Sequence, residues 1–81
     1  MRCARSATKH GISTADGIYA AMNSLWIEPL DDQDDEQWRE LRIGFDAKAR
    51  LLETVVIVAS DGDELLIHAM KARPQYIQLL E

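Results

Sequence analysis

The sequence predicts an α+β fold: a small antiparallel sheet of three to four strands, with an N-terminal helix packed on it and a short C-terminal helix. Three features carry this. Ser13, a helix N-cap type with Asp16 three positions on, precedes Ile18, Ala21, Met22 and Leu25. Those apolar residues recur at three- and four-residue steps, one stripe of a helix of about three turns. The apolar runs 51–59 and 64–70 are joined through Asp61 and Gly62, a short-hairpin signal. Finally, Pro74 has a fixed φ and needs no amide partner at a first helical position, so it starts a helix over 74–80.

Taken in order, residues 1–10 suit a short helical turn with fraying over 1–7, and Gly11 closes it after Lys9 and His10. The capped helix follows. Trp26 to Leu30 predicts a short strand that Pro29 confines to an edge. Residues 31–36 hold five carboxylates and self-repel, which predicts an exposed acidic loop. After Trp38, Leu41, Ile43 and Phe45 alternate with Arg42, Gly44 and Asp46, so a half-buried strand is expected with Arg42 on its wetter face. Asp46 to Arg50 turns the chain. Leu51 to Ala59, apolar on both faces apart from Glu53 and Thr54, is the expected central strand, and Glu64 to Met70 runs antiparallel beside it.

At 81 residues the chain is one domain, 1–81, of a size that buries about 60% of its unfolded surface. Cys3 stands alone and forms no internal disulfide. No apolar run reaches the ~18 residues of a membrane span, and no apolar stretch follows the N-terminal cations as a signal peptide requires. A cytoplasmic protein is the expectation. Net charge is −5, with five of the 14 acids in the 31–36 window; the other nine balance the nine lysines and arginines. Arg2, Arg5 and Lys9 make the first ten residues basic. A basic face for nucleic acid therefore remains open.

His10, His68 and Cys3 show no metal-ligand spacing, and the acidic run lacks the glycine and closing glutamate of a calcium loop. Neither a metal nor another cofactor is expected. Nor is there a glycine-rich phosphate loop or a serine elbow. The stretch where the last strand meets the last helix carries the candidate chemistry. His68 shares a strand face with Leu66 and Met70; it is either a packed histidine or, if the Leu65 face is the core, an acid or base in a groove. Lys71 and Arg73 suit a phosphate, since an ammonium is a point charge and a guanidinium forks onto two oxygens. A solvated strand end is their plain alternative. Tyr76 lies in the first turn of the last helix. Lys9 and His10 form a second cluster, which as a helix C-terminus needs no function. Trp26 and Trp38, which bracket the acidic run, suit rim or core positions better than base stacking.

The run Lys9, His10, Gly11 and Ile12, the capped helix, the acidic stretch, the two hairpin strands and the run Ile67, His68, Ala69, Met70, Lys71 and Ala72 together resemble the BrnT-like toxins of bacterial type II toxin–antitoxin systems, small ribonucleases related to the RelE fold. The likeness spans about residues 8 to 80. Lys9, His10 and Gly11 match a lysine-histidine-glycine step, and Ala69, Lys71 and Ala72 match a serine-alanine-arginine-lysine-alanine pattern. His68 replaces its serine and Met70 its arginine, and the family's opening strand is short or missing. The resemblance implies metal-independent cleavage of mRNA, on or off the ribosome, and a cognate antitoxin that is a small DNA-binding protein. On that reading His68 or His10 transfers protons, Arg73 and Lys71 hold the phosphate, and Lys9, Arg42 and Tyr76 contact RNA. Two further readings stay open: a catalytically inactive relative acting as a protein-binding module, and a homo-oligomer that buries its edge strand.

Overall fold

Turn chemistry and side-chain alternation fix most of the strands, and small residues decide how the helix lies on them. The computed structural model describes residues 1–30 and 36–80. It runs β1 (Arg2–Cys3), a 3-10 turn (Arg5–Thr8), α1 (Thr14–Met22), β2 (Ser24–Pro29), β3 (Gln37–Phe45), β4 (Leu51–Ala59), β5 (Glu64–Lys71), α2 (Pro74–Ile77) and a closing 3-10 turn (Gln78–Leu80). One sheet has the order β1-β5-β4-β3-β2. Neighbours from β2 to β5 are antiparallel, while β1 lies parallel to β5.

The fold is therefore α+β, but with a five-stranded mixed sheet in place of three to four antiparallel strands. The difference is at the N-terminus. Arg2 and Cys3, expected to fray, pair with Leu65 and Leu66, and the Ala4 amide donates to the Leu66 carbonyl at 2.8 Å. Arg2 is also ion-paired to Asp63. The expected acidic loop at 31–36 lies, except for the exposed Glu36, outside the described residues.

In α1 the Ser13 hydroxyl accepts the Asp16 amide at 3.1 Å, the cap expected from the sequence. The helix stops at Met22, earlier than the stripe to Leu25 implied. Asn23 Nδ2 donates to the Tyr19 carbonyl at 2.8 Å and Ser24 Oγ to that of Ala21 at 2.6 Å, so short polar side chains take up the last carbonyls. The buried side is also rotated: Asp16, Gly17, Ala20 and Ala21 face the sheet, whereas Met22 and Leu25 are exposed. Small residues win because the helix sits close. A Cβ on Gly17 would meet Leu66 Cδ2 at 2.9 Å and the Ala69 Cβ at 3.3 Å.

On the helix-covered face Leu52, Val56, Val58, Leu66 and Ala69 join Ala7, Ile12, Ala20 and Ala21 in one core. A bulge shapes β5: Val56 faces Leu66 but Val55 faces His68, leaving Ile67 as the extra residue. Leu66 and Ala69 thus share the core side, and His68 turns to the opposite face with Met70. Strict alternation would have kept Leu66 with His68. Arg42 departs further from expectation. Its register partner is Thr54, on the core side, and its side chain is 8% exposed between Glu40 and Glu64, with Nη2 at 2.9 and 2.8 Å from their carboxylates. Flanking carboxylates, not solvent, compensate the buried charge.

Gly44 sets the height of α1 over β3. A Cβ there would lie 2.6 Å from the Ala20 carbonyl oxygen and 3.0 Å from that of Asn23, both backbone atoms that cannot rotate away. Gly44→Ala is expected to lower unfolding stability by about 1–3 kcal/mol, measured by urea denaturation. An unchanged midpoint would mean that the helix end gives freely.

Candidate functional site

Glu53 is the one charged residue of a central strand that is otherwise apolar but for Thr54, and β4 buries it to 1% exposure. An unpaired carboxylate there would be very costly, so partners must come to it. They come from the end of β5. Arg73 donates its backbone amide to Oε1 at 3.1 Å, Nε to Oε1 at 2.8 Å and Nη2 to Oε2 at 3.0 Å. His68 Nε2 lies 3.3 Å from Oε2. Burial pushes the Glu53 carboxyl up, but the hydrogen bonds from Arg73 and His68 outweigh it and hold it below the usual carboxylate range. Its hydrogen bond and charge in turn raise Arg73. A carboxylate only accepts, so His68 carries its proton on Nε2 when neutral and keeps the lone pair on Nδ1.

The pair sits in a groove of about 290 Å³ on the sheet face opposite α1. Leu30, Leu41, Val55 and Ile67 supply its apolar lining, with Arg39, His68, Arg73, Glu53 and Tyr76 as the other lining residues. The last helical turn reaches across to β2. Tyr76 closes one side, its ring centroid 5.3 Å from the Arg73 guanidinium carbon. Beside the groove His10 meets His68 edge-on, ring centroids 5.4 Å apart at 73°. Gly11, at a φ of 84°, provides the turn after His10.

The structure therefore brings together four of the residues singled out in the sequence: His10, His68, Arg73 and Tyr76. It separates the other three. Lys71 faces Leu52 on the helix side of the sheet and is exposed, because the Ile67 bulge fixes the phase of the strand. Arg42 is spent on Glu40 and Glu64 on that same side. Lys9 is exposed at the end of the first 3-10 turn and does not line the groove. The missed residues are Glu53 and Arg39. A lone glutamate amid a β-branched central strand was itself a signal for a buried partner, and Arg39 shares its strand face with Leu41 two residues on.

Two imidazoles, a half-exposed guanidinium and a phenol beside an apolar floor can bind an anion and move protons at it. No cluster of three or more metal-ligating side chains occurs among the described residues, and no described helix is long and apolar enough to cross a membrane. Comparison with family models, curated proteins and solved structures found no match to this chain.

Since the folded state holds Glu53 below its unfolded value of about 4.3, its ionised form stabilises the fold above that pH. The contribution is lost as pH falls through the folded value. Asp16 is likewise lowered, chiefly by Lys48, and so is Asp46, where bonds from Arg50 and Lys48 overcome desolvation. Urea melts from about pH 7 to about pH 3 are therefore expected to show falling stability, with a shallower fall in Glu53→Gln. Parallel slopes in the two proteins would mean that Glu53 is not held ionised.

Proposed function

We propose that this chain is the toxin of a bacterial type II toxin–antitoxin pair, a BrnT-like cytoplasmic ribonuclease that inhibits translation by metal-independent cleavage of mRNA. The observation that carries the reading is the contact between His10 and His68 beside the Glu53-held Arg73. Such cleavage needs a base to take the proton of the ribose 2′-hydroxyl, an acid to protonate the leaving 5′-oxygen, and a cation on the phosphorane between them. O2′ forms a bond to phosphorus as the P–O5′ bond breaks. One imidazole accepts a proton, the other donates one, and the products are a 2′,3′-cyclic phosphate and a free 5′-hydroxyl.

Arg73 suits the phosphorane because Glu53 engages Nε and Nη2 and leaves further guanidinium N–H groups unspent. Glu53 acts through its neighbours. It fixes the His68 tautomer and aims the guanidinium, as a buried carboxylate does behind a working histidine. Tyr76 and Arg73 together provide a stacking surface for a base.

A second reading, a catalytically inactive protein-binding relative, is favoured by the surface around β2. Leu25, Trp26 and Ile27 on that edge strand are exposed, as are Tyr19 and Met22 of α1 and Phe45 of β3. An apolar edge of this kind suits a protein partner, and in the toxin reading that partner is the cognate antitoxin.

Incubation of the purified chain with mRNA in EDTA, alone and with translating ribosomes, tests the reading. Cleavage to 2′,3′-cyclic phosphate ends is expected, slowed by about 100-fold or more in His68→Ala, and abolished in Arg73→Ala, which also melts at a lower temperature because Glu53 loses its guanidinium partner and is therefore assayed below its own melting transition. Intact RNA under both conditions would leave the binding module as the function.

A further inference from the structure

The groove has a feature that cleavage of a phosphodiester does not itself require: a second cation at the far end of an apolar floor. Across the sheet, Leu41, Val55 and His68 form one register row. Arg39 lies one row further along, opposite Ile57, and Glu53 with its bound Arg73 lies one row back. Ile57 and Glu53 are four residues apart on β4, about 13 Å at the rise of a strand. Arg39 and Arg73 nevertheless line the same groove, so their side chains approach from opposite ends. Arg39 forms no ion pair among the described residues. The floor between them, Leu41, Val55 and Ile67, carries no side-chain hydrogen-bonding group, and Leu30 and Tyr76 stand beside it.

We propose that this groove holds a single unstacked ribonucleotide unit of a single-stranded RNA, with its base on the Leu41–Val55–Ile67 floor, its 3′-phosphate at His68 and Arg73, and its 5′-phosphate at Arg39. The proposal rests on the ribonuclease reading and gives that site its substrate class. The volume, about 290 Å³, stands at the small end of ligand pockets and suits one nucleotide, not a helix. A floor of aliphatic side chains excludes water from a base but offers nothing to its Watson–Crick edge, so the site discriminates poorly among bases. A stacked A-form duplex presents no free base to such a floor and is excluded. The scissile phosphate then lies against the imidazole end, which places the 2′-hydroxyl of the floor-bound nucleotide at the proton-transfer pair. Specificity is thus for strand state and for the phosphate on the 5′ side, and not for base identity.

Titration calorimetry with inorganic phosphate, uridine 3′-monophosphate, uridine 3′,5′-bisphosphate and their adenosine, guanosine and cytidine counterparts tests this. The 3′-monophosphate is expected to bind more tightly than phosphate, and the bisphosphate roughly tenfold more tightly again, the gain of a charge-assisted contact. Arg39→Gln should erase that second gain and leave monophosphate affinity unchanged. Arg73→Ala should weaken every ligand, and the four bases should agree within about tenfold. Equal affinity for the mono- and bisphosphate, a bisphosphate preference that survives Arg39→Gln, or nucleotides no better than inorganic phosphate would overturn the proposal. RNA cleavage accompanied by any of these results removes this mode of binding alone. Tight, Arg39-dependent bisphosphate binding without cleavage would instead remove the nuclease reading and keep the groove as an RNA-binding site.

Discussion

A carboxylate buried in the centre of a sheet is the constraint from which the functional end of this molecule follows. Glu53 has no access to water and must be satisfied by neighbours. Two of its bonds come from the Arg73 guanidinium and one from the Arg73 backbone amide, so the charge fixes main chain as well as side chain. The residue that leaves β5 is thereby anchored to the middle of β4. Pro74 then starts α2 in a fixed direction. Tyr76 stands over the guanidinium and the C-terminal turns reach β2 because the chain has been pinned one residue before the helix begins.

The same sheet performs two unrelated tasks on its two faces, and the separation depends on small residues and one bulge. On the core face Gly17, Ala20, Ala21 and Gly44 let α1 approach until backbone and side chains touch. The Ile67 bulge then phases β5 so that Leu66 and Ala69 both feed the core, while His68 is delivered to the other side at the level of Val55. Without the extra residue, the histidine and the core leucine would share a face. One inserted residue separates a packing position from a chemical one.

Local rules read from the sequence were sufficient for most of the fold. The Ser13 cap, the Asp61–Gly62 turn, the edge strand containing Pro29 and the central strand 51–59 are set by contacts within a few residues. What local rules do not contain is long-range pairing. The parallel placement of Arg2–Cys3 depends on strand β5, more than sixty residues away, and no alternation pattern marks a two-residue strand. Arg42 illustrates the limit in the other direction. Alternation assigned its phase relative to Leu41 and Ile43 correctly, but both faces of β3 are covered, so the polar phase is buried between two carboxylates. For the site, His68, Arg73 and His10 were visible as residue types in a suggestive order. Their convergence is a tertiary fact, and the residue that organises it, Glu53, stood out in the sequence as an anomaly in an apolar run.

An excess of acids need not disqualify a protein from holding an anionic substrate, and here the ion-paired carboxylates other than Glu53 lie away from the groove. Asp16 is engaged by Lys48 and Arg50, Asp46 by Arg50, and Glu40 and Glu64 by Arg42, at the turn beside α1 or on the helix side of the sheet. Asp63 is matched with Arg2 at the β1 edge. In the groove the single lining carboxylate is Glu53, already fully engaged, against Arg39, Arg73 and His68. Pairing with the Arg73 guanidinium offsets its charge, and the unspent N–H groups of that guanidinium, with Arg39, are the lining groups that can meet an approaching anion. Net charge describes the whole chain. Binding is decided within about one Debye length, ~8–10 Å, of the groove, where Arg39 and the unspent N–H groups of Arg73 favour an anion and the exposed Glu28, opposite Leu41 on β2, works against it.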